Sequence, residues 1–206
     1  MLTVWGRSNS INVMKVLWTC EELGLEYQRI DAGLQHGVVD TPEYRGRNPN
    51  GRVPTIDDDG FVLWESNTIV RYLAAKHGSG SLMPTGLRER ADAERWMDWG
   101  SMHLGLAMTP LFWQLVRTPA DRRNPELIAS STADSEAQIR VLDAHLAERP
   151  FLCGDRLAVG DIPAASFVHR WFALPIVRPR LPHIERYYAA LMKRPPYASQ
   201  VALPLT

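Results

Sequence analysis

The chain has 206 residues and a mass of 23.3 kDa, which is enough for one large domain or two small ones. Lys plus Arg and Asp plus Glu each number 23, so the net charge is zero, which argues against nucleic acid or a membrane surface as a partner. Cys20 and Cys153 are the only cysteines, which excludes a disulfide scaffold and a four-cysteine metal site. The sequence has no apolar run of about 20 residues and no signal-peptide pattern, so we expect a cytoplasmic protein with reduced thiols.

The first half of the chain alternates short apolar runs with helical periodicity. The pattern predicts the order β-α-β-α-β-β-α: a strand at Leu2–Trp5, a helix from Ile11 to Leu23, a strand at Tyr27–Ile30, a short helix from Thr41, strands at Val53–Ile56 and Phe61–Trp64, and a helix from Ser66. The helix between the first two strands predicts a parallel pair, whereas Asp59–Gly60 predicts an antiparallel hairpin between the last two. We predict that Glu21 and Glu22 form an exposed helix end.

The second half carries helical signals only. Residues 79–86, rich in Gly and Ser at their start, are predicted to link a domain at 1–78 to a domain at 87–206. Four helical runs follow, at Arg88–Val116, Pro125–Leu146, Asp161 to just before Pro175, and from Pro182 onward. Pro110 is expected to kink or interrupt the first run.

Two motifs carry a family resemblance. They are Asn48-Pro-Asn-Gly-Arg-Val-Pro-Thr-Ile56 and Trp64-Glu-Ser-Asn-Thr-Ile-Val-Arg-Tyr-Leu73, and Ser10 lies where the first strand turns into the first helix. Within this element order they resemble the cytosolic glutathione transferases, most closely bacterial theta-like members with a serine at this position. The resemblance covers the whole chain. It implies an α+β thioredoxin-like N-terminal domain followed by an all-α helical bundle.

The resemblance also implies a binding site for glutathione as co-substrate. Val53–Pro54 is similar to the family's cis-proline dipeptide, whose backbone pairs with the cysteine of glutathione. Glu65 and Ser66 resemble the pair that holds the γ-glutamyl end, with Ser66 at a helix N-terminus that favours a carboxylate. Arg52 and His36 are candidates for the glycine carboxylate. The histidines lack the spacing of a metal site, so we predict no metal.

Ser10 is our first candidate for activating the thiol of glutathione. A free thiol has a pKa of about 8.5, and a helix N-terminus or a hydroxyl donor lowers it. Asn12 is the alternative, and Ser8 is a weaker rival. Cys20 falls in mid-helix on the apolar face, where it is expected to be a small buried hydrophobe. Disulfide exchange through a cysteine of the enzyme is therefore disfavoured.

The resemblance implies a second substrate between the domains and a homodimer with a role in detoxification. The implied reaction is attack of the glutathione thiolate on a hydrophobic electrophile. Candidate wall residues of the second site are Trp5, Arg7, Met102, His103, Leu106, Phe112 and Trp113. The rival functions are a glutathione-dependent peroxidase or disulfide reductase without an enzyme cysteine, and a transferase-like module that binds without catalysis.

One departure from the family pattern concerns stability rather than chemistry. Members of the family carry Ser or Thr three residues before the aspartate that caps a helix of the second domain. The corresponding positions here are Ala158 and Asp161, so the reciprocal capping box lacks its hydroxyl half. Loss of a cap hydroxyl costs about 1 kcal/mol.

Overall fold

The computed structural model describes residues 1–206, and its first half contains a four-stranded mixed sheet. The strands are β1 (Leu2–Trp5), β2 (Tyr27–Ile30), β3 (Thr55–Asp58) and β4 (Phe61–Trp64), in the spatial order β2-β1-β3-β4. β1 runs parallel to β2 and antiparallel to β3, and β3 runs antiparallel to β4. This topology confirms the thioredoxin-like domain that the sequence predicts.

Three helices complete this domain: α1 (Ile11–Glu22), α2 (Pro42–Arg47) and α3 (Ser66–His77). α1 and α3 pack together on one face of the sheet, because their apolar stripes face the inward side chains of the central strands. The resulting core includes the fully buried Val4, Val16, Ile56, Ile69 and Leu73.

The hairpin between β3 and β4 differs slightly from its prediction. β3 begins at Thr55 rather than Val53, because Pro54 has no N–H to donate and the pairing with Trp64 starts after it. Asp59 and Gly60 form the tight turn, with φ of 53° and 93°. Such left-handed angles suit Asp-Gly, as the sequence predicts.

The second half begins with a long helical run in two parts, α4 (Leu87–Trp99) and α5 (Gly105–Phe112). Residues 100–104 and 113–117 wind more widely, as π-helical turns. The N–H of Gly105 bonds to the carbonyl of Gly100, and that of Thr118 bonds to the carbonyl of Trp113 at 2.8 Å. Pro110 lies inside α5, so the two interruptions fall on either side of the predicted position.

The remaining helices are α6 (Pro125–His145), α7 (Asp161–Ala173), α8 (Pro182–Met192) and α9 (Pro195–Gln200). The sequence predicts the first three but not α9, although proline suits the first turn of a helix. α7 is the central helix of the bundle, because every residue from Asp161 to Trp171 is buried. None of these helices combines the length and apolar character needed to cross a bilayer.

Glu22 joins α1 to the C-terminal helices. Its carboxylate accepts two bonds from Arg194, at 2.8 and 2.6 Å, and one from the Trp18 Nε1–H at 2.8 Å. The Trp18 ring also meets Tyr197 edge to face, with centroids 5.0 Å apart. The prediction that Glu22 is an exposed helix end is therefore wrong: its side chain is 8% exposed. Its partner lies 172 residues away, beyond the reach of local pattern.

Replacing Glu22 with alanine is expected to lower the free energy of unfolding by about 1–3 kcal/mol, because the buried Trp18 N–H and the Arg194 guanidinium lose their acceptor. The loss is smaller than for a fully buried ion pair, since the Arg194 side chain is 37% exposed and water replaces part of the interaction. Urea unfolding at pH 7 measures the change. Glu26→Ala, at an exposed position in the same domain, is the matched control. Equal stability of the two variants would contradict the assignment.

Asp161 caps the first turn of α7 without the Ser or Thr hydroxyl of a complete capping box, because residue 158 is alanine. Its Oδ2 accepts from the Ala158 N–H at 2.9 Å, whereas its own N–H bonds to the Ala158 carbonyl, so half of the capping box is missing, as the sequence predicts. Its Oδ1 accepts from the Leu152 N–H and the Tyr187 hydroxyl, both at 2.9 Å. Burial raises the pKa of Asp161 to about 6.

Candidate functional site

A cleft of about 700 Å³ lies between the loops that follow β1 and β2, the loop before β3, and the helical half of the chain. Arg7, residues 9–12 and residues 50–53 line one side, and Thr109, Phe112 and Trp113 line the other. Both halves of the chain therefore contribute to the site.

Ser10 lies at the N-terminal end of α1, at the floor of this cleft. Its backbone is extended, with φ −91° and ψ 121°, but its side chain makes no capping hydrogen bond to the helix. The residue is only 8% exposed. A serine at a helix N-cap position normally uses its hydroxyl on the helix backbone. Here the hydroxyl and the first-turn N–H groups remain available to an anion in the cleft.

Asn12 connects the cleft to two buried residues. Its Oδ1 accepts from Lys15 Nζ at 3.0 Å and from Ser66 Oγ at 3.4 Å. The structure thus brings together Asn12 and Ser66, which the sequence names as candidates from different motifs. Asn67, the next residue of α3, has its Oδ1 3.5 Å from Lys15 Nζ and donates to the Met97 carbonyl at 2.9 Å. α1, α3 and α4 are joined by amide groups directly beneath the cleft.

Lys15 is a feature of this site that the sequence analysis missed. Its side chain is 2% exposed, and no carboxylate pairs with it. Burial lowers its pKa to about 7, with a further lowering by the Arg170 charge and an opposing effect of Glu65. The available signal was a lysine inside the apolar run Val13–Leu17, where a charge is unexpected.

The segment before β3 presents its backbone to the cleft. The Val53–Pro54 peptide bond is cis, as the resemblance implies, and Val53 lines the cleft. Neither the N–H nor the carbonyl of Val53 is hydrogen-bonded within the chain. Two buried side chains fix the neighbouring Arg52 carbonyl: the Tyr44 hydroxyl at 2.7 Å and the Asn48 amide at 2.9 Å.

Glu65 and Ser66 stand at the start of α3. Glu65 is exposed and has φ +72°, a conformation that costs a non-glycine residue about 1–3 kcal/mol and is concentrated at functional sites. Ser66 is buried and contacts the cleft through Asn12. Neither residue lines the 700 Å³ cleft itself.

The two candidates for the glycine carboxylate occupy different places. Arg52 lines the cleft and is exposed. His36 lies on an exposed turn outside it, with Nε2 3.1 Å from the Gln35 amide and 4.0 Å from Asp31. Of the two, only Arg52 lines the cleft.

Three of the seven predicted wall residues line the cleft: Arg7, Phe112 and Trp113. The other four do not. Trp5 lies under the Arg47 guanidinium, 5.1 Å from it, and His103 stacks on Trp99. Met102 and Leu106 are 62% and 63% exposed. Helical periodicity predicts which face of a long helix turns inward, but not which stretch of that face borders a cleft. In this chain the stretch that borders the cleft runs from Thr109 to Arg117.

Two further arginines in the cleft were not predicted. Arg117 ends the helical run after α5, and Arg170 lies in α7 with its guanidinium 3.7 Å from the centroid of the Phe112 ring. A buried arginine within the apolar run of α7 was the available signal. The cysteines, by contrast, take no part: burial raises the pKa of Cys20 to about 12, and Cys153 lies away from the cleft.

Comparison with known proteins matches both halves of the chain to one family. Residues 1–75 match the glutathione S-transferase N-terminal domain, and residues 125–190 match the C-terminal domain of the same family. The chain is 41% identical to glutathione S-transferase GstB of Escherichia coli over the full length of both proteins. It is 30% identical to glutathione S-transferase 3 of Zea mays, covering 98% of this chain and 93% of that one.

A solved structure agrees with this match. A theta-class glutathione S-transferase from Xanthomonas axonopodis pv. citri, with glutathione bound, is 48% identical and superimposes with a TM-score of 0.96. The match covers 100% of this chain and 99% of that one. The chain belongs to the glutathione S-transferase family, as the two sequence motifs predict.

Proposed function

We propose that this chain catalyses attack of the glutathione thiolate on an electrophilic carbon of a small molecule. The sulfur forms a new bond to carbon, and the leaving group departs with its bonding electrons. One observation carries the proposal: Ser10 is buried at the N-terminus of α1 on the cleft, and its hydroxyl makes no hydrogen bond to its own helix. A donor in this position stabilises a thiolate more than a thiol.

The proposed binding mode for glutathione uses backbone as well as side chains. The unpaired N–H and carbonyl of Val53 suit the cysteine of glutathione as an added strand segment. Glu65 and Ser66 at the start of α3 suit the γ-glutamyl end, with Asn12 beside them. For the glycine carboxylate we propose Arg52 rather than His36, because Arg52 lines the cleft.

Replacing Ser10 with alanine is expected to raise the pKa of bound glutathione by about one unit and to lower kcat/KM about ten- to hundredfold near neutral pH, because the thiolate loses a hydroxyl donor. Thiolate absorbance of the binary complex, titrated between pH 5 and 9, gives the pKa. Ser8→Ala is the control, since Ser8 is exposed and does not line the cleft. An unchanged thiol pKa in Ser10→Ala would transfer the role to Asn12, whose alanine variant is then the next measurement.

The reaction class is tested with three kinds of substrate. Glutathione affinity is measured by calorimetry, followed by turnover of a chlorinated aromatic, a hydroperoxide and a glutathionylated disulfide. Conjugation of the aromatic supports the proposal. Turnover of only the peroxide or the disulfide favours the reductase alternative. If the protein does not bind glutathione even at millimolar concentration, both enzymatic functions are ruled out, and the remaining alternative is a module that binds another ligand or partner without catalysis.

We further propose a cytoplasmic homodimer with a domain boundary within residues 79–86. The support is family membership together with two unpaired cysteines, which suit a reducing compartment. Sedimentation at micromolar concentration tests the dimer, cell fractionation tests the location, and limited proteolysis tests the boundary.

A further inference from the structure

Three arginines converge on the cleft from different parts of the chain. Arg7 follows β1, Arg117 ends the π-helical turn after α5, and Arg170 lies in α7. We call them the arginine cluster. Arg7 packs over Gly33 in the loop after β2. A Cβ atom at residue 33 would lie only 3.0 Å from Arg7 Nη1, so the glycine leaves room for the arginine side chain.

No acidic side chain of the protein neutralises the arginine cluster. None of its three guanidinium groups has a carboxylate within 4.0 Å or donates a hydrogen bond to another residue, and the Nε atoms of Arg7 and Arg117 are buried without a partner. Arg194, by contrast, is partly buried and is paired with the Glu22 carboxylate. The only carboxylate that lines the cleft, Asp40, is engaged by Arg45 at 2.8 Å.

The cluster concentrates positive charge at a cost to the folded protein. Burial, followed by the Arg117 charge, lowers the pKa of Arg7. Burial, Arg117 and Arg7 lower the pKa of Arg170 to about 9. Burial is the main cause that lowers the pKa of Lys15, and the Arg170 charge lowers it further. Like charges held together in a half-buried cleft destabilise a protein unless an anion compensates them.

Aromatic rings border the cluster on its helical side. Arg170 stacks on Phe112 at 3.7 Å, and Arg117 lies 5.6 Å from Phe112 and 5.9 Å from Trp113. Trp113 is half exposed at the cleft. Flat apolar surface beside planar guanidinium groups suits a molecule with an apolar body and a planar anionic end.

We propose that the electrophile of this enzyme carries a carboxylate, which the arginine cluster binds while its reactive carbon faces the thiolate at Ser10. The inference rests on the proposed function and names its substrate class. With an aryl chloride as electrophile, the sulfur forms the C–S bond, the C–Cl bond breaks and chloride leaves. The rival occupant of the cluster is the glycine carboxylate of glutathione itself, for which Arg52 beside Val53 is the better placed partner.

The test compares 4-chloro-3-nitrobenzoate with its uncharged amide, 4-chloro-3-nitrobenzamide. For each, kcat/KM is divided by the uncatalysed rate constant with glutathione, which removes the difference in intrinsic reactivity. The wild-type enzyme is expected to favour the benzoate about tenfold or more, as one charge-assisted interaction allows. Arg117→Gln is expected to lower this preference about tenfold or more, whereas Arg122→Gln, at an exposed position in the following loop, keeps it. Equal rate enhancement of benzoate and amide by the wild type would overturn the inference.

Binding of the two product conjugates supplies a readout that does not need turnover. Calorimetry should show the carboxylated conjugate binding about tenfold or more tightly than the carbamoyl conjugate, with the difference lost in Arg117→Gln. If the carboxylated conjugate binds more tightly but neither chloride is turned over, the proposed function fails and the anion site stands. If Arg117→Gln instead weakens the binding of free glutathione to the same extent, the cluster holds glutathione, and the inference is wrong.

Discussion

Replacing Asp161 with alanine is expected to lower the free energy of unfolding by about 3–5 kcal/mol. The carboxylate is fully buried and accepts three bonds, from the N–H groups of Leu152 and Ala158 and from the Tyr187 hydroxyl. Alanine leaves all three donors without a partner, and each buried unsatisfied donor costs about 1–3 kcal/mol. Partial relaxation of the loop keeps the total below the simple sum.

The measurement is urea unfolding of the full chain at pH 7. Asp155→Ala is the control, because Asp155 is an exposed acid in the same loop and is expected to change stability by less than about 0.5 kcal/mol. Asp161→Asn keeps one acceptor oxygen and should fall between wild type and alanine. A loss of less than about 1 kcal/mol for Asp161→Ala would mean that the loop finds other acceptors.

The effect bears on the site through α7. Asp161 fixes the start of this helix, and Arg170 lies at its other end, in the cleft. α7 also packs on α1, whose N-terminus carries Ser10. A loosened first turn of α7 would therefore disturb the arginine cluster as well as the core, so activity and stability are expected to fall together in Asp161→Ala.

Elements with strong local signals could be predicted from the sequence. The Asp59–Gly60 turn and the Val53–Pro54 dipeptide are short-range features, and both lie where the sequence predicts. α9 was missed because Pro195–Pro196 indicates a break in most contexts, whereas here the prolines occupy the first turn of a short helix. The two prolines are compatible with either a break or the first turn of a helix, and the packing of this segment on α8 and α1 favours the helix.

The site could be predicted only as far as its motifs extend. Arg52 and Val53 lie in the first motif, Ser10 lies at the predicted turn from strand to helix, and all three line the cleft. Arg117 and Arg170 lie outside the motifs and are brought there by helix packing across 53 residues of chain, a distance that no periodicity encodes. The same limit explains Glu22, whose partner is near the other end of the chain.

Lys15 leads to the second large prediction, a change in the pH dependence of stability. In the folded protein its pKa is lowered to about 7, chiefly by burial, from an ordinary value of 10.5. Between these two values the unfolded chain holds a proton on this amine that the folded chain does not. Stability contributed by this group therefore rises with pH across that window, and the penalty of the buried charge is greatest below pH 7.

Lys15→Met removes this titration while keeping an unbranched side chain of similar length. The free energy of unfolding of the variant minus that of the wild type is expected to be highest at pH 6. This difference is expected to fall by about 2–3 kcal/mol between pH 6 and pH 9. Lys15→Met also loses the hydrogen bonds to Asn12 and Asn67. This loss changes the stability of the variant equally at pH 6 and at pH 9, so it does not affect the change between the two pH values. Urea unfolding at several pH values measures it, with Lys193→Met on the exposed end of α8 as the control. If the stability difference between Lys15→Met and wild type does not vary with pH, Lys15 does not change its protonation on folding, and its charge must be compensated within the folded protein.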